Sequence, residues 1–523
     1  MTEREYQSNL ALREKLVAGV EKLADNVAST YGPRGRTVII HPKDKTPTIT
    51  KDGVTVSRAV KLKDPFENAA AQIIKQAAEK TASDAGDGTT TAIVLARSIY
   101  IKAQKYIAAG ASPVEIKRGV DKTVEAITGR LKDLSSPIKS AEDIEHIATI
   151  SANGDKIIGK LIATAVDLAG KDGAITIEEA RSVETSLDVV EGFRFDSGYL
   201  SPKFITEERR GVVRYDDPLL LVTDAKLEGV EEILPVLEVV AREGRPLIIV
   251  AEEIEGQALA ALIMNAMRGS LKVAAVKAPR YGEERRNILK DLAIATGATF
   301  ISRESNKNLK DIKLTDLGTS KTIEISKGWT TIVGGNGDTE QITNRIEVLK
   351  GEIEQTDSLH ECEGIQERIT RLASGIAIIR VGGATEVEMV EKRHRIEDAL
   401  EAVRSAQLEG VVPGGGMALI MAARSIQAEM PNEDQAIGKK IVLETAFAPI
   451  RQMAQNAGDS PDLIADLAKR CKDGEGYDFR TGQVIQMVEN GIIDPVKVTR
   501  CALQNAASAA TTLITTNYAI IEV

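Results

Sequence analysis

The sequence predicts a multidomain protein of α and α/β class, in which an α/β unit is inserted into a discontinuous, mainly helical domain. Three observations carry that prediction. The chain has 523 residues, more than one hydrophobic core usually serves. Its first and last thirds place apolar residues at helical spacing, whereas the middle alternates short apolar runs with helical stretches. No low-complexity tract or flexible linker separates these regions, so the junctions are expected to be ordered hinges.

Taken in order, Leu10 to Ala28 reads as a helix stopped by Tyr31-Gly32-Pro33. VTVSRAV, at 54–60, looks extended because it is rich in β-branched residues. Helical periods return near 64–84, 89–108 and 113–133, and Pro137 breaks them. In the middle, Leu219–Thr223, Leu247–Ala251 and Leu271–Val276 suit buried strands, with helical stretches near 229–242 and 255–267 between them. That alternation implies parallel pairing. Ile342, Ile346, Leu349 and Ile353, then Ile365, Ile369 and Leu372, predict two antiparallel helices. Helical patterns resume through EDALEAVRSAQ, GKKIVLETAFAPIRQMAQ and PDLIADLAK. Making the two ends one domain is the simplest topology.

The composition excludes several classes of function. A net charge of -10, with no arginine-lysine cluster interleaved with aromatics, gives no footprint for nucleic acid. No stretch approaches the ~20 apolar residues of a membrane span, and MTEREYQSNLALREKL does not read as a secretory leader. Cys362, Cys471 and Cys501 are odd in number and widely spaced, so a reducing, cytoplasmic setting is expected. The histidines show no metal-ligand spacing, and His394, in EKRHRIED, reads as a solvated helix residue. Aromatics are only 3%, so the cores must be built from Ala, Ile, Leu and Val.

One stretch carries chemistry. DAGDGTTTAIVLA, from Asp84 to Ala96, passes from a Gly and Asp loop into a helix through three threonines, a poor way to build a helix interior. A helix N-terminus offers unpaired N–H groups to an anion, and threonine hydroxyls can cap those groups or donate to phosphate oxygens. Asp87 would repel a phosphate unless Mg²⁺ lay between them. In isolation, an Asx turn before a capped helix is the commoner explanation, and GxxxxGK[ST] is absent. Three further Gly-punctuated turns shift the balance towards a ligand: TYGPRGR, TKDGVTV and EGVVPGGG.

At this point the chain resembles the group I chaperonins, the bacterial GroEL-type chaperonin-60 family. The resemblance runs from Thr30 to the end, nearly without gaps. GPRGR, TKDGVTV, AGDGTTTA, ATISAN, VVEGFRFDSGYLSP, VKAPRYG, VGGATEVEMVEK, RIEDAL, EGVVPGGG and GIIDPVKVTRCALQNAAS match the family's motifs in order. It implies an equatorial ATP-binding domain at 1–135 and 410–523, a hinge-like intermediate domain at 136–190 and 376–409, and an apical substrate-binding domain at 191–375.

Residue by residue, the resemblance implies that Asp87 binds Mg²⁺ and that Gly88, Thr89, Thr90 and Thr91 hold phosphate oxygens. Tyr31, Gly32 and Pro33 approach the nucleotide, Gly415 and Asp494 hold its base and ribose side, and Thr30, Lys51 and Thr90 place a K⁺. Asp398 orients the attacking water, with Asp52 as a second acid. Pro137, Gly192, Gly375 and Gly410 fall at the hinges. Non-native polypeptides would dock on Tyr199, Phe204, Leu234, Leu237, Leu259, Ile263 and Met264, although such residues are more commonly core. The implied partners are other copies in a seven-membered ring, single or double, and a co-chaperonin lid.

The chain also departs from the family. Lys203 stands where an aromatic is usual, and Phe479 and Arg480 replace a small pair after Tyr477, which implies a reshaped adenine pocket. Ser197 and Ser460 stand where charges often bridge subunits and rings, while Asp155 and Arg395 keep an internal pair. A Gly-Gly-Met tail does not follow NYAIIEV. These departures suggest a divergent chaperonin with weakened contact between rings. Two other readings compete: a passive ring-shaped holdase, which the three retained acids argue against, and a metabolic ATPase, for which no second substrate pocket is visible.

Overall fold

The computed structural model describes residues 4–41, 47–169, 175–180, 182–302, 309–356, 359–373 and 375–522. They divide into two compact units. The first comprises Met1–Thr164, Glu179–Glu184 and Val381–Val523, and the second Ala165–Glu178 and Thr185–Arg380.

The first unit is helical because its apolar residues form stripes at helical spacing, and the stripes from both ends of the chain bury one another. Helices Asn9–Ala28, Pro65–Ala85, Thr89–Ala108, Pro113–Asp133, Glu433–Thr445 and Val496–Ile514 enclose a core with Leu16, Phe66, Ile74, Ile99, Tyr100, Val442 and Leu503 at its centre. With few aromatics, these helices pack closely by using small residues. Gly119 lies against the backbone of Gln435, and Gly438 lies against the carbonyl of Ile116, so a side chain at either position would force the two helices apart. Strands Arg4–Ser8 and Tyr518–Glu522 pair antiparallel, a contact that no local pattern announces.

Residues 54–60 correct the sequence reading. Gly53–Ala59 is a helix, not a strand. The Asp52 carboxylate accepts from the N–H groups of Val54 and Thr55, a cap that outweighs the weak extended preference of V-T-V.

The second unit is built on a nine-stranded sheet. Leu219–Val222, Leu247–Ala251 and Val273–Lys277 pair in parallel, as the alternation of runs predicts. The sheet continues antiparallel through Gly318–Ile325, Thr330–Gly335, Ser186–Phe195 and Gly375–Val381. Helices Val230–Glu243 and Gly256–Arg268 contribute Ile233, Val236, Ala258 and Leu262 to the core of this unit. The expected helical pair is Thr339–Gln355 and Leu359–Ala373. Arg345 and Arg368 from this pair both reach the buried carboxylate of Asp291, Arg368 with two hydrogen bonds of 2.7 and 2.9 Å.

Gly192 and Gly375, expected at hinges, belong to strands Ser186–Phe195 and Gly375–Val381. Both sit inside paired strands, Gly192 opposite Val333 and Gly375 opposite Glu191, where ladder hydrogen bonds hold the backbone. Gly192 is required for packing, since a Cβ there would run into Ile376 and, at 2.6 Å, the carbonyl of Ile332. Pro137 and Gly410 lie where two strands of chain run side by side. Ser136 and Val411 exchange backbone hydrogen bonds of 2.8 and 2.9 Å, and Gly410, at φ 81°, ends the helix Glu386–Glu409.

Candidate active site

The turns singled out in the sequence converge within the first unit on a cavity of about 480 Å³. Its floor begins at the Gly86-Asp87-Gly88 link. Helix Pro65–Ala85 ends in left-handed Gly86 (φ 73°), and helix Thr89–Ala108 starts after left-handed Gly88 (φ 88°). Only Asp87 separates them. A Cβ on Gly88 would lie 2.7 Å from Val498, so the reversal requires glycine both for its dihedral and for its neighbour. No side chain caps the Thr89 helix, so its first N–H groups are left facing the cavity, as an anion would need. The bland explanation, a side-chain-capped helix, is not what the fold contains.

The other walls are positioned by specific bonds. The Asn456 amide donates to the carbonyls of Ala28 and Tyr31, both at 2.8 Å, and so holds the Thr30–Pro33 turn. Thr91 Oγ1 donates to the Tyr31 hydroxyl at 3.0 Å. Strand Val411–Pro413 pairs with Ile493–Pro495, which brings Gly415 beside Asp494. Met453, Tyr477, Phe479 and Met487 form an apolar end, with the Tyr477 and Phe479 rings edge-on at 4.9 Å. Phe479 is thus a buried part of the pocket wall, and the Arg480 guanidinium lies on Gly154.

All the nucleotide residues expected from the sequence line this one cavity: Thr30 to Pro33, Lys51, Asp52, Asp87 to Thr91, Asp398, Gly415 and Asp494. Asp398 comes from helix Glu386–Glu409, which packs against helix Ala141–Ser151. The loop after that second helix is tied back by the Arg395–Asp155 bridge of 3.1 Å. Sequence reasoning missed His146, Ser151 and Met453, and took His394 for a solvated residue. His394 is instead half-buried on the cavity wall. The signal for it was there: four residues before Asp398 on one helix is the same face.

The electrostatics of the cavity are dominated by buried carboxyls. Burial pushes the Asp87 carboxyl up, and the Asp52 charge adds to this, against hydrogen bonds from Gly88 N–H and Ser151 Oγ. Burial likewise raises Asp494, to about 7, with the Asp87 charge second and the Gly415 N–H opposing. Such crowded carboxylates fit a divalent cation, which would relieve the repulsion. Among the described residues no three His, Cys, Asp or Glu side chains converge as a metal cluster. Lys51 could meet a K⁺ only through its carbonyl, because its ammonium is a donor.

In the second unit the expected docking residues separate. Leu234 and Met264 are each 46% exposed, and Tyr199, Leu259 and Ile263 are partly buried. Phe204 and Leu237 are core, at 2% and 7%, so no docking chain reaches them in this conformation. Met267, on the same helix as Met264 and 59% exposed, was overlooked.

Residues 23–523 match the TCP-1/cpn60 chaperonin family. Among solved structures, the chain is similar to the chaperonin gp146 from the bacteriophage EL 2 (Pseudomonas aeruginosa), crystallised in the presence of ATP-BeFx. The two are 21% identical with a TM-score of 0.68, and the match covers 99% of each chain. At that identity the likeness bears on the fold.

Proposed function

This chain belongs to the TCP-1/cpn60 chaperonin family, and we propose that it is an ATP hydrolase that drives the folding of non-native polypeptides within a ring of its own copies. The observation that carries this reading is the convergence of four separate turns and the Asp398 helix on one cavity. In this proposal the N–H groups and hydroxyls of Thr89, Thr90 and Thr91 bind phosphate oxygens. Gly32, Pro33 and Gly415 give the nucleotide close backbone approach, and the apolar end at Tyr477 and Phe479 receives the base. Asp87 would hold Mg²⁺, which neutralises charge on the transferring phosphoryl group. A K⁺ at Thr30, Lys51 and Thr90 would add to that neutralisation. Asp398 orients water. Asp52 is the second acid, and both its oxygens also accept from the helix it starts.

The three-domain division at 1–135 with 410–523, 136–190 with 376–409, and 191–375 remains part of this reading. So do a seven-membered ring, a co-chaperonin lid and a cytoplasmic location. Clients would meet Leu234, Leu259, Ile263 and Met264. Each such contact is weak at ~25 cal/mol per Å², so repetition around a ring supplies the avidity.

The test is steady-state phosphate release with Mg²⁺ and K⁺, wild type beside Asp398→Ala. Wild-type turnover, with a variant that binds ATP but loses at least about tenfold in rate, is expected. A wild type that binds polypeptides and hydrolyses nothing would make the chain a passive holdase.

A further inference from the structure

Two of the four histidines in the chain line the nucleotide cavity, and they stand differently. His146, on helix Ala141–Ser151, packs its ring on the backbone of Gly491, where an added Cβ would come within 2.7 Å of the imidazole. It serves as wall. His394 stands one turn before Asp398 on helix Glu386–Glu409, and residues four apart on a helix lie about 6 Å from each other, Cβ to Cβ.

Other charged groups line the same cavity. Arg395 bridges Asp155 at 3.1 Å and Glu391 at 2.8 Å. Asp52 caps Val54 and Thr55, and Asp87 accepts from Ser151. Lys51, Lys156 and Arg480 face the cavity as cations and cannot take a proton. A carboxylate of ordinary acidity is a poor final acceptor for the proton of water near pH 7. An imidazole, which ordinarily titrates near 6.5, is well matched to that task.

We propose that His394 is the terminal proton acceptor behind Asp398 in ATP hydrolysis, an inference that rests on the ATPase reading above. The oxygen of the water held by Asp398 forms a bond to the terminal phosphorus. The bond from that phosphorus to its bridging oxygen breaks, and ADP leaves with the electron pair. The proton of the water passes through Asp398 to the His394 imidazole and then to solvent, so the products are ADP, phosphate and one proton.

The test is the pH dependence of kcat between pH 5.5 and 8.5 at saturating Mg-ATP, for wild type, His394→Ala and His394→Gln, with the Kd of a fluorescent ADP measured alongside. Wild-type kcat should fall about tenfold per pH unit once the imidazole is protonated. Both variants should lose about 10²-fold in kcat at pH 7.5, flatten the acid limb and hold the ADP Kd within about twofold, which also shows them folded. Glutamine keeps a polar side chain but cannot titrate. Asp494 and His146 remain in both variants, so an acid limb that survives belongs to one of them and overturns the proposal. Loss of rate in proportion to loss of ADP affinity overturns it too. A wild type that binds ADP but releases no phosphate refutes the ATPase reading, and this proposal with it.

Discussion

Asp494→Asn isolates the electrostatic cost built into the cavity. The carboxyl of Asp494 is raised from 3.8 to about 7, first by burial and second by the charge of Asp87. A raised acid contributes stability that is fully present below its unfolded value and is lost as pH rises through its folded value. The nucleotide-free protein should therefore lose stability between about pH 4 and pH 7. A shift of about three units corresponds to at most ~4 kcal/mol, and water reaching the cavity wall reduces that. Asparagine keeps the shape and can still accept from the Gly415 N–H, but carries no charge. The assay is thermal unfolding of nucleotide-free protein from pH 5 to pH 8, at fixed protein concentration and ionic strength. At pH 8 the variant should melt several degrees higher than wild type, and the difference should shrink towards pH 5. Its gain on adding Mg-ADP should be smaller than that of wild type, because the charge that Mg²⁺ offsets is gone. Parallel melting curves at every pH would refute the reasoning.

Other perturbations test separate links. Gly88→Ala puts a Cβ 2.7 Å from Val498 at a φ of 88°, and should weaken ADP binding at least about tenfold while the far-UV helical signal persists. Arg368→Ala leaves Asp291 buried with only Arg345, and should cost the second unit about 3–5 kcal/mol, read as early loss of its unfolding transition in urea. Leu234→Ser with Met264→Ser should reduce capture of a denatured client several-fold without changing phosphate release, whereas Leu237→Ser should mainly destabilise the core, read as a lower melting temperature.

Much of this architecture is legible in the sequence because it is written locally. The runs at Leu219, Leu247 and Val273 announce a parallel core, and the Gly86-Asp87-Gly88 turn announces a helix start. What escaped has a common cause. The Gly53–Ala59 helix follows from a cap at Asp52 that outweighs the propensity of the residues after it. The pairing of Arg4–Ser8 with Tyr518–Glu522 joins the two ends of the chain and leaves no short-range trace. The packing of Gly192 against Ile376 and the carbonyl of Ile332 likewise leaves no trace in the residues beside it. His394 was dismissed for the charges around it. Helical spacing from Asp398 is the better guide, because a face is defined three and four residues away and not by immediate neighbours.

The measurement closest to the central claim is recovery of activity by a chemically unfolded client enzyme, diluted into this protein with and without ATP. The account predicts capture without ATP, release and recovery with ATP, and capture without recovery for Asp398→Ala. Equal recovery with and without ATP would contradict it and leave a passive holdase.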